Sequence, residues 1–312
     1  MPVMDMHCDV LMKLARNQEI HFKSSPMLDV ALDRMWMDPW SFQCFAIFLP
    51  SEQKDADIRD VLRMIHLFRT EIAAQPEVTW IRTRQDAANL TSRQGLGAML
   101  SIEGLDALHG DLEWLYTLYA LGVRAAGFTW NHANWAADGI MEPRGGGLTE
   151  KGRELVQVCN EIGILIDVSH LSVKAFWDVM ALSSRPVMAS HSNVKSRCAH
   201  PRNLDDDQIQ ALIEQDGRLG LSFVPYFLRD NGEADMKDIL KHVEAVLLLG
   251  GEEQLCFGSD FDGIEQWTIG MEHIGRYPYL RESMLAEFGE RITENILWRN
   301  MHRFLQTELP SE

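Results

Sequence analysis

Long apolar runs, paired cysteines, basic stretches and low-complexity linkers are all missing from these 312 residues. No uninterrupted apolar segment approaches the roughly 18 residues that span a bilayer. The residues before His7 show neither the basic n-region nor the apolar h-region of a secretory leader, so a cytoplasmic protein is expected. The five cysteines (Cys8, Cys44, Cys159, Cys198 and Cys256) are odd in number, scattered and without a CxxC pair, and are read as reduced and buried. Positive charge is scarce: 29 Lys and Arg stand against 46 Asp and Glu, a formal charge of −17. Such a surface repels nucleic acids and anionic membranes. The stretch PRGGGLTEKG lacks the Lys-Ser/Thr that must follow the glycines of a phosphate loop, and is read as a loop leading to a helix cap at Thr149.

What is present is an ordinary globular composition, 46% hydrophobic and 24% charged, without a shift that would mark a linker. A single domain over 1–312 is therefore expected. Eight short apolar runs bounded by turn signals read as strands: 3–9, 43–49, 97–104, 123–130, 163–170, 185–192, 217–224 and 255–263. Helix-like segments such as TEKGRELVQVCNEIG and SVKAFWDVMALSS separate most of them, with Thr149, Ser172 and Asp205 placed as N-caps. Strands apolar on both faces, alternating with helices, indicate a parallel sheet covered by helices. Eight such units match a TIM-type (β/α)8 barrel, although a doubly wound sheet would give a similar string. The tail ITENILWRNMHRFL reads as an amphipathic helix, with Ile292, Ile296, Leu297 and Phe304 on the side that packs on the barrel exterior.

Polar residues of metal-binding type recur at the strand ends. The first strand carries His7 and Asp9, which share a face because side chains alternate along a strand; Cys8 faces the other way. The third ends at Glu103, the fifth at His170, the sixth at His191, and the eighth at Asp260 with Asp262 beyond. In a barrel these ends converge on the C-terminal face, where such folds build active sites. Any one of them alone is readily structural. Together, as buried polar groups without partners, each would cost a few kcal/mol, so a metal site is the economical reading. Imidazole and carboxylate ligands suit zinc. Five ligands exceed the need of one ion, and two ions bridged by a carboxylate use them all. Glu103, from a strand between the other ligand pairs, is the best bridge.

The sequence resembles the membrane (renal-type) dipeptidase family, a branch of the amidohydrolase-like metal-dependent barrels, in a soluble, bacterial-type form. The resemblance rests on MHCDVL, SIEG, DVSH, ASHSN, HPRNLDDDQ and GSDFDG, in the family's order, with a similar C-terminal helix. It implies one zinc on His7, Asp9 and Glu103, a second on Glu103, His170 and His191, and a bridging hydroxide; another divalent metal is an alternative. Asp260 is implied as general acid/base, with Asp262 a second choice more simply read as a loop cap. Arg202 is implied to bind the free carboxylate of a dipeptide. Many family members carry Thr-His after the fourth strand, a histidine that steadies the oxyanion. Here GFTWNHANW puts Trp130 at that position and His132 two residues later, so His132 is a candidate for a displaced role. Tyr226, Phe227 and Trp267 are candidates for a side-chain pocket. The expected activity is zinc-dependent hydrolysis of dipeptides, with a homodimer possible. The alternatives are an amidohydrolase acting on a lactam or N-acyl amino acid, and an inactive barrel used for binding.

Overall fold

The computed structural model describes residues 1–35, 40–49 and 57–311. Among them nine strands lie parallel: β1 (Val3–Cys8), β2 (Trp40–Phe48), β3 (Val78–Trp80), β4 (Gly95–Glu103), β5 (Val123–Gly127), β6 (Leu165–Asp167), β7 (Met188–Ala189), β8 (Arg218–Leu221) and β9 (Leu255–Phe257). Eight of them form a closed circuit, β1-β2-β4-β5-β6-β7-β8-β9 and back to β1. Pairing of β2 with β4 and of β9 with β1 makes this the expected barrel and excludes an open doubly wound sheet. The ninth strand, β3, lies outside the expected runs. It pairs with the start of β4 (Val78↔Leu96, Trp80↔Ala98), below the stretch where β4 takes up β5.

Alternation along the strands sorts the core into two parts. Met4, Met6, Phe42, Cys44, Met99, Leu165, Met188 and Cys256 are packed together inside the barrel. Val3, Leu100, Ile102 and Ala126 face the surrounding helices, and Cys8 joins them because the register of β1 shifts between Asp5 and Cys8. Thr149, Ser172 and Asp205 cap their helices as expected, accepting from the backbone N–H of Gly152, Ala175 and Gln208. Such caps contribute about 1 kcal/mol each.

The tail departs from expectation in part. Ile296 and Leu297 join the core outside the strands, but the following helix, Asn300–Glu308, turns beneath the barrel. There Met301, Phe304 and Leu305 join the same core cluster as Met4, Phe42 and Met99. Asn300 Nδ2 donates to the carbonyls of Glu252 and Leu255, and Arg218 Nε donates to the Asn300 carbonyl. The N-terminal end of the barrel is thereby stoppered, and chemistry is confined to the opposite face. Among the described residues no helix is long and apolar enough to cross a membrane.

Candidate metal centre

The ligand candidates sit where ladder pairing stops. Glu103 is the last residue of β4, and His170, His191 and Asp260 lie just beyond β6, β7 and β9. The expected strands 163–170, 185–192 and 255–263 are thus shorter than their apolar runs. His170 and Asp260 hold φ of 69° and 67°, a left-handed conformation no strand accommodates and one that costs a non-glycine residue about 1–2 kcal/mol. The fold holds two functional side chains in strained backbone.

Asp5, on β1, fastens the first ligand pair. Its carboxylate accepts from the backbone N–H of His7 (3.1 Å) and Ser259 (3.0 Å) and from the Tyr277 hydroxyl (2.8 Å). The ends of β1 and β9 are therefore tied together, bringing Asp260 over His7. His7 Nε2 lies 3.4 Å from Asp9 Oδ2, 3.4 Å from Glu103 Oε2 and 3.9 Å from Asp260 Oδ1. Gly263 leaves room for this: a Cβ there would fall 2.2 Å from Asp9 Oδ2 and 2.9 Å from Asp260 Oδ1.

The second group closes on the other oxygen of Glu103. Its Oε1 is 2.8 Å from His170 Nε2 and 3.4 Å from His191 Nε2, and the two Nε2 atoms are 2.8 Å apart. Hydrogen bonding at the far ring nitrogens sets the tautomers. His170 Nδ1 donates to Asn131 Oδ1 at 2.9 Å. Ser190 spends its one hydroxyl hydrogen on the Asp167 carboxylate and so accepts from His191 Nδ1 at 2.7 Å. Both Nε2 atoms then present lone pairs to each other and to a carboxylate oxygen, an arrangement that repels itself unless a cation stands among them. His7 Nε2 and Asp9 Oδ1 are also buried without hydrogen-bond partners among the described residues. The donor set fits metal on both sides of Glu103: ligand atoms of His7, Asp9 and Glu103, and of Glu103, His170 and His191, lie within 4.8 Å of one another, as do those of His7, His191 and Asp260.

Electrostatics in the protein alone point the same way. Burial, reinforced for His170 by Arg202, lowers the His170 imidazole to about 4, and burial with His7 holds His191 well below its ordinary range. Both are neutral and available as ligands at pH 7. Burial would lower His7 too, but Glu103 and Asp9 outweigh it and raise His7 well above its usual value. Burial would raise Glu103, yet His7 and His170 hold it well below the carboxylate range. The carboxylates need positive charge among them, which a metal would supply in place of the His7 proton. Burial, aided by Asp9 and Glu103 and opposed by His7 and Arg202, pushes Asp260 well above the usual carboxylate value.

A cavity of about 410 Å³ opens over this group, lined among others by Asp9, Glu103, Trp130, Asn131, Arg202 and Asp260. That volume suits a small ligand. Arg202 is buried, donates from Nη2 to the His191 carbonyl (3.2 Å) and lies 5.4 Å from the Phe227 ring centre. Its Nε has no partner among the described residues, and burial lowers its pKa to about 10, still charged at neutral pH. Tyr226 and Phe227 line the cavity as expected; Trp267 does not.

His132 is not brought to the cavity. It is exposed, and hydrogen bonds from Gly139 N to its carbonyl and from Met141 N to that of Asn131 turn the chain so that Trp130 and Asn131 line the space instead. Asp262 proves structural: its buried carboxylate accepts from Asp29 N, Val30 N and Lys13 Nζ, anchoring the loop that follows the helix Val10–Arg16. Asn131, Asp167 and Ser190 escaped notice in the sequence, although the last two stand beside the histidines in DVSH and ASHS.

The family described as membrane dipeptidase, peptidase family M19, matches residues 1–311. An uncharacterized protein of the pqqA 5′ region of Klebsiella pneumoniae is 34% identical over 224 residues, 68% of this chain and 82% of that protein. Dipeptidase 3 of Rattus norvegicus is 28% identical over 98% of this chain, which spans 65% of its length. A metallopeptidase of Rhodobacter sphaeroides, solved with a phosphinate mimic of the dipeptide L-Ala-D-Ala, superposes with a TM-score of 0.88 at 28% identity over 99% of each chain.

Proposed function

This chain belongs to the membrane dipeptidase family, peptidase family M19, and from that premise we propose a two-zinc dipeptidase specific for substrates with a free C-terminal carboxylate. Membership makes it a metallopeptidase, a hydrolase of peptide bonds. The metal reading is carried by one observation, the convergence of His170 Nε2, His191 Nε2 and Glu103 Oε1. His7, Asp9 and Glu103 would hold one ion, and Glu103, His170 and His191 the other. When bound, zinc supplies a water ionised near neutral pH and polarises the carbonyl under attack.

The chain's own residues do the rest. Asp260 reaches the space between the ligand groups and, with its affinity for protons raised by burial, takes a proton from the attacking water and passes it to the leaving amine. Arg202 presents a buried guanidinium with an unpartnered Nε to the same cavity, and a carboxylate pairs with it through charge-assisted hydrogen bonds. Trp130, Tyr226 and Phe227 wall the cavity and limit the size of the substrate. The fit of a dipeptide-sized ligand is supported by the phosphinate complex of the Rhodobacter relative. The test is release of amino acids from a library of L,L- and L,D-dipeptides with and without chelator, alongside N-acyl amino acids. Chelator-sensitive cleavage of dipeptides is expected; cleavage of N-acyl amino acids alone, or of nothing, would contradict it.

A further inference from the structure

We propose that Asp167, acting through the Ser190 hydroxyl, fixes His191 in the tautomer able to bind metal; the inference rests on the metal reading above. Asp167 is a buried carboxylate inside the barrel, beneath the ligand cluster. Its Oδ1 accepts from the backbone N–H of Ser169 (3.0 Å) and of Ser190 (2.9 Å), and its Oδ2 accepts from the Ser190 hydroxyl. Ser169 Oγ in turn accepts from the His191 backbone N–H at 3.2 Å. One carboxylate thus joins the loops that carry His170 and His191.

The chemistry lies in the direction of the chain of hydrogen bonds. A carboxylate only accepts, and a hydroxyl has a single hydrogen. Ser190 must therefore donate to Asp167 and accept from His191 Nδ1 (2.7 Å). The proton is held on Nδ1, and Nε2, which faces Glu103, keeps its lone pair. An asparagine in place of Asp167 can preserve both backbone contacts through its oxygen while its amide nitrogen donates to Ser190. The hydroxyl hydrogen then turns to His191 Nδ1, and the ring proton moves to Nε2, where it blocks coordination. Outer partners of metal-bound histidines typically govern about 10–100-fold in metal affinity.

Zinc affinity of the full-length protein, measured by chelator competition, tests this with Asp167→Asn, Ser190→Ala and the double variant. Asp167→Asn is expected to weaken zinc binding about 100-fold, and Ser190→Ala, which only frees the ring to choose, about 10-fold. Because the asparagine cannot reverse a hydroxyl that is gone, the double variant should return to the Ser190→Ala value. Imidazole nitrogen shifts in the metal-free proteins supply a readout independent of metal: Nδ1–H at His191 in the parent, Nε2–H in Asp167→Asn. Parental affinity in Asp167→Asn, or losses that simply add in the double variant, would overturn the proposal. If Asp167→Asn does not fold, Ser190→Ala decides alone, and parental affinity there overturns it. A parent protein that binds no zinc would instead sink the metal reading itself.

Discussion

The Nε2 atoms of His170 and His191 stand 2.8 Å apart, with their lone pairs directed at each other and at Oε1 of Glu103. Two neutral imidazoles do not choose such an approach in the absence of a shared cation. The barrel enforces it by placing one histidine beyond β6 and the other beyond β7, each held by a hydrogen bond at its far nitrogen.

Replacing Asp260 separates metal binding from chemistry. Asp260→Asn retains the ligand set proposed here and removes the group that moves the proton, so kcat is expected to fall about 10²–10⁴-fold. Zinc content, measured on the same sample, stays that of the parent. Unchanged turnover would remove Asp260 from the mechanism.

Arg202 is tested by the substrate rather than by the variant alone. Arg202→Met keeps bulk at a buried position and loses the charge. KM for free dipeptides is expected to rise by about 10–100-fold, the worth of one charge-assisted pair of about 1.5–3 kcal/mol. Carboxyl-amidated dipeptides, poor substrates of the parent, change little. Equal losses on both series would contradict its role.

Gly263→Ala places a methyl 2.2 Å from Asp9 Oδ2. Asp9 is expected to be displaced and the His7–Asp9–Glu103 side to lose affinity for metal, while the thermal midpoint moves by only a few degrees. Chelator competition on the purified variant reads the effect, and parental affinity would show that Asp9 is not a ligand.

His242 gives a pH dependence free of the metal cluster. It is buried, accepts from Val194 N at Nδ1 and donates to the Leu228 carbonyl from Nε2. Burial, with help from Arg197, lowers its pKa to about 4. Between about pH 6.5 and 4 the unfolded chain binds a proton that the folded protein refuses, so stability is present above that window and lost as pH falls through it. The loss is on the order of 3 kcal/mol by pH 4. His242→Gln, which can make both hydrogen bonds without titrating, is expected to flatten the acid limb of the thermal midpoint. An unchanged limb would assign the acid loss to other groups.

Much of the site was legible because its ligands obey local rules. His7 lies near the end of β1 and Asp9 directly follows that strand, Glu103 ends an apolar run, and the eight barrel strands lie in order along the chain. What was not legible depends on distant contacts. The short β3, half-buried throughout, exists because the start of β4 offers it an edge. The left-handed turns at His170 and Asp260 shorten their strands without any glycine to announce them. Asn131 rather than His132 meets the site because loop hydrogen bonds across Gly139 and Met141 set which residue turns inward. Asp167 and Ser190 bear on His191 only once β6 and β7 are paired.

The most direct test of the account is the zinc stoichiometry of the purified protein and of Glu103→Gln, by elemental analysis after equilibration with a slight excess of zinc. Glu103 faces both ligand groups, so two equivalents are expected in the parent and fewer than one in the variant. Two equivalents retained without the Glu103 carboxylate, or none in the parent, would contradict the bridged two-metal centre.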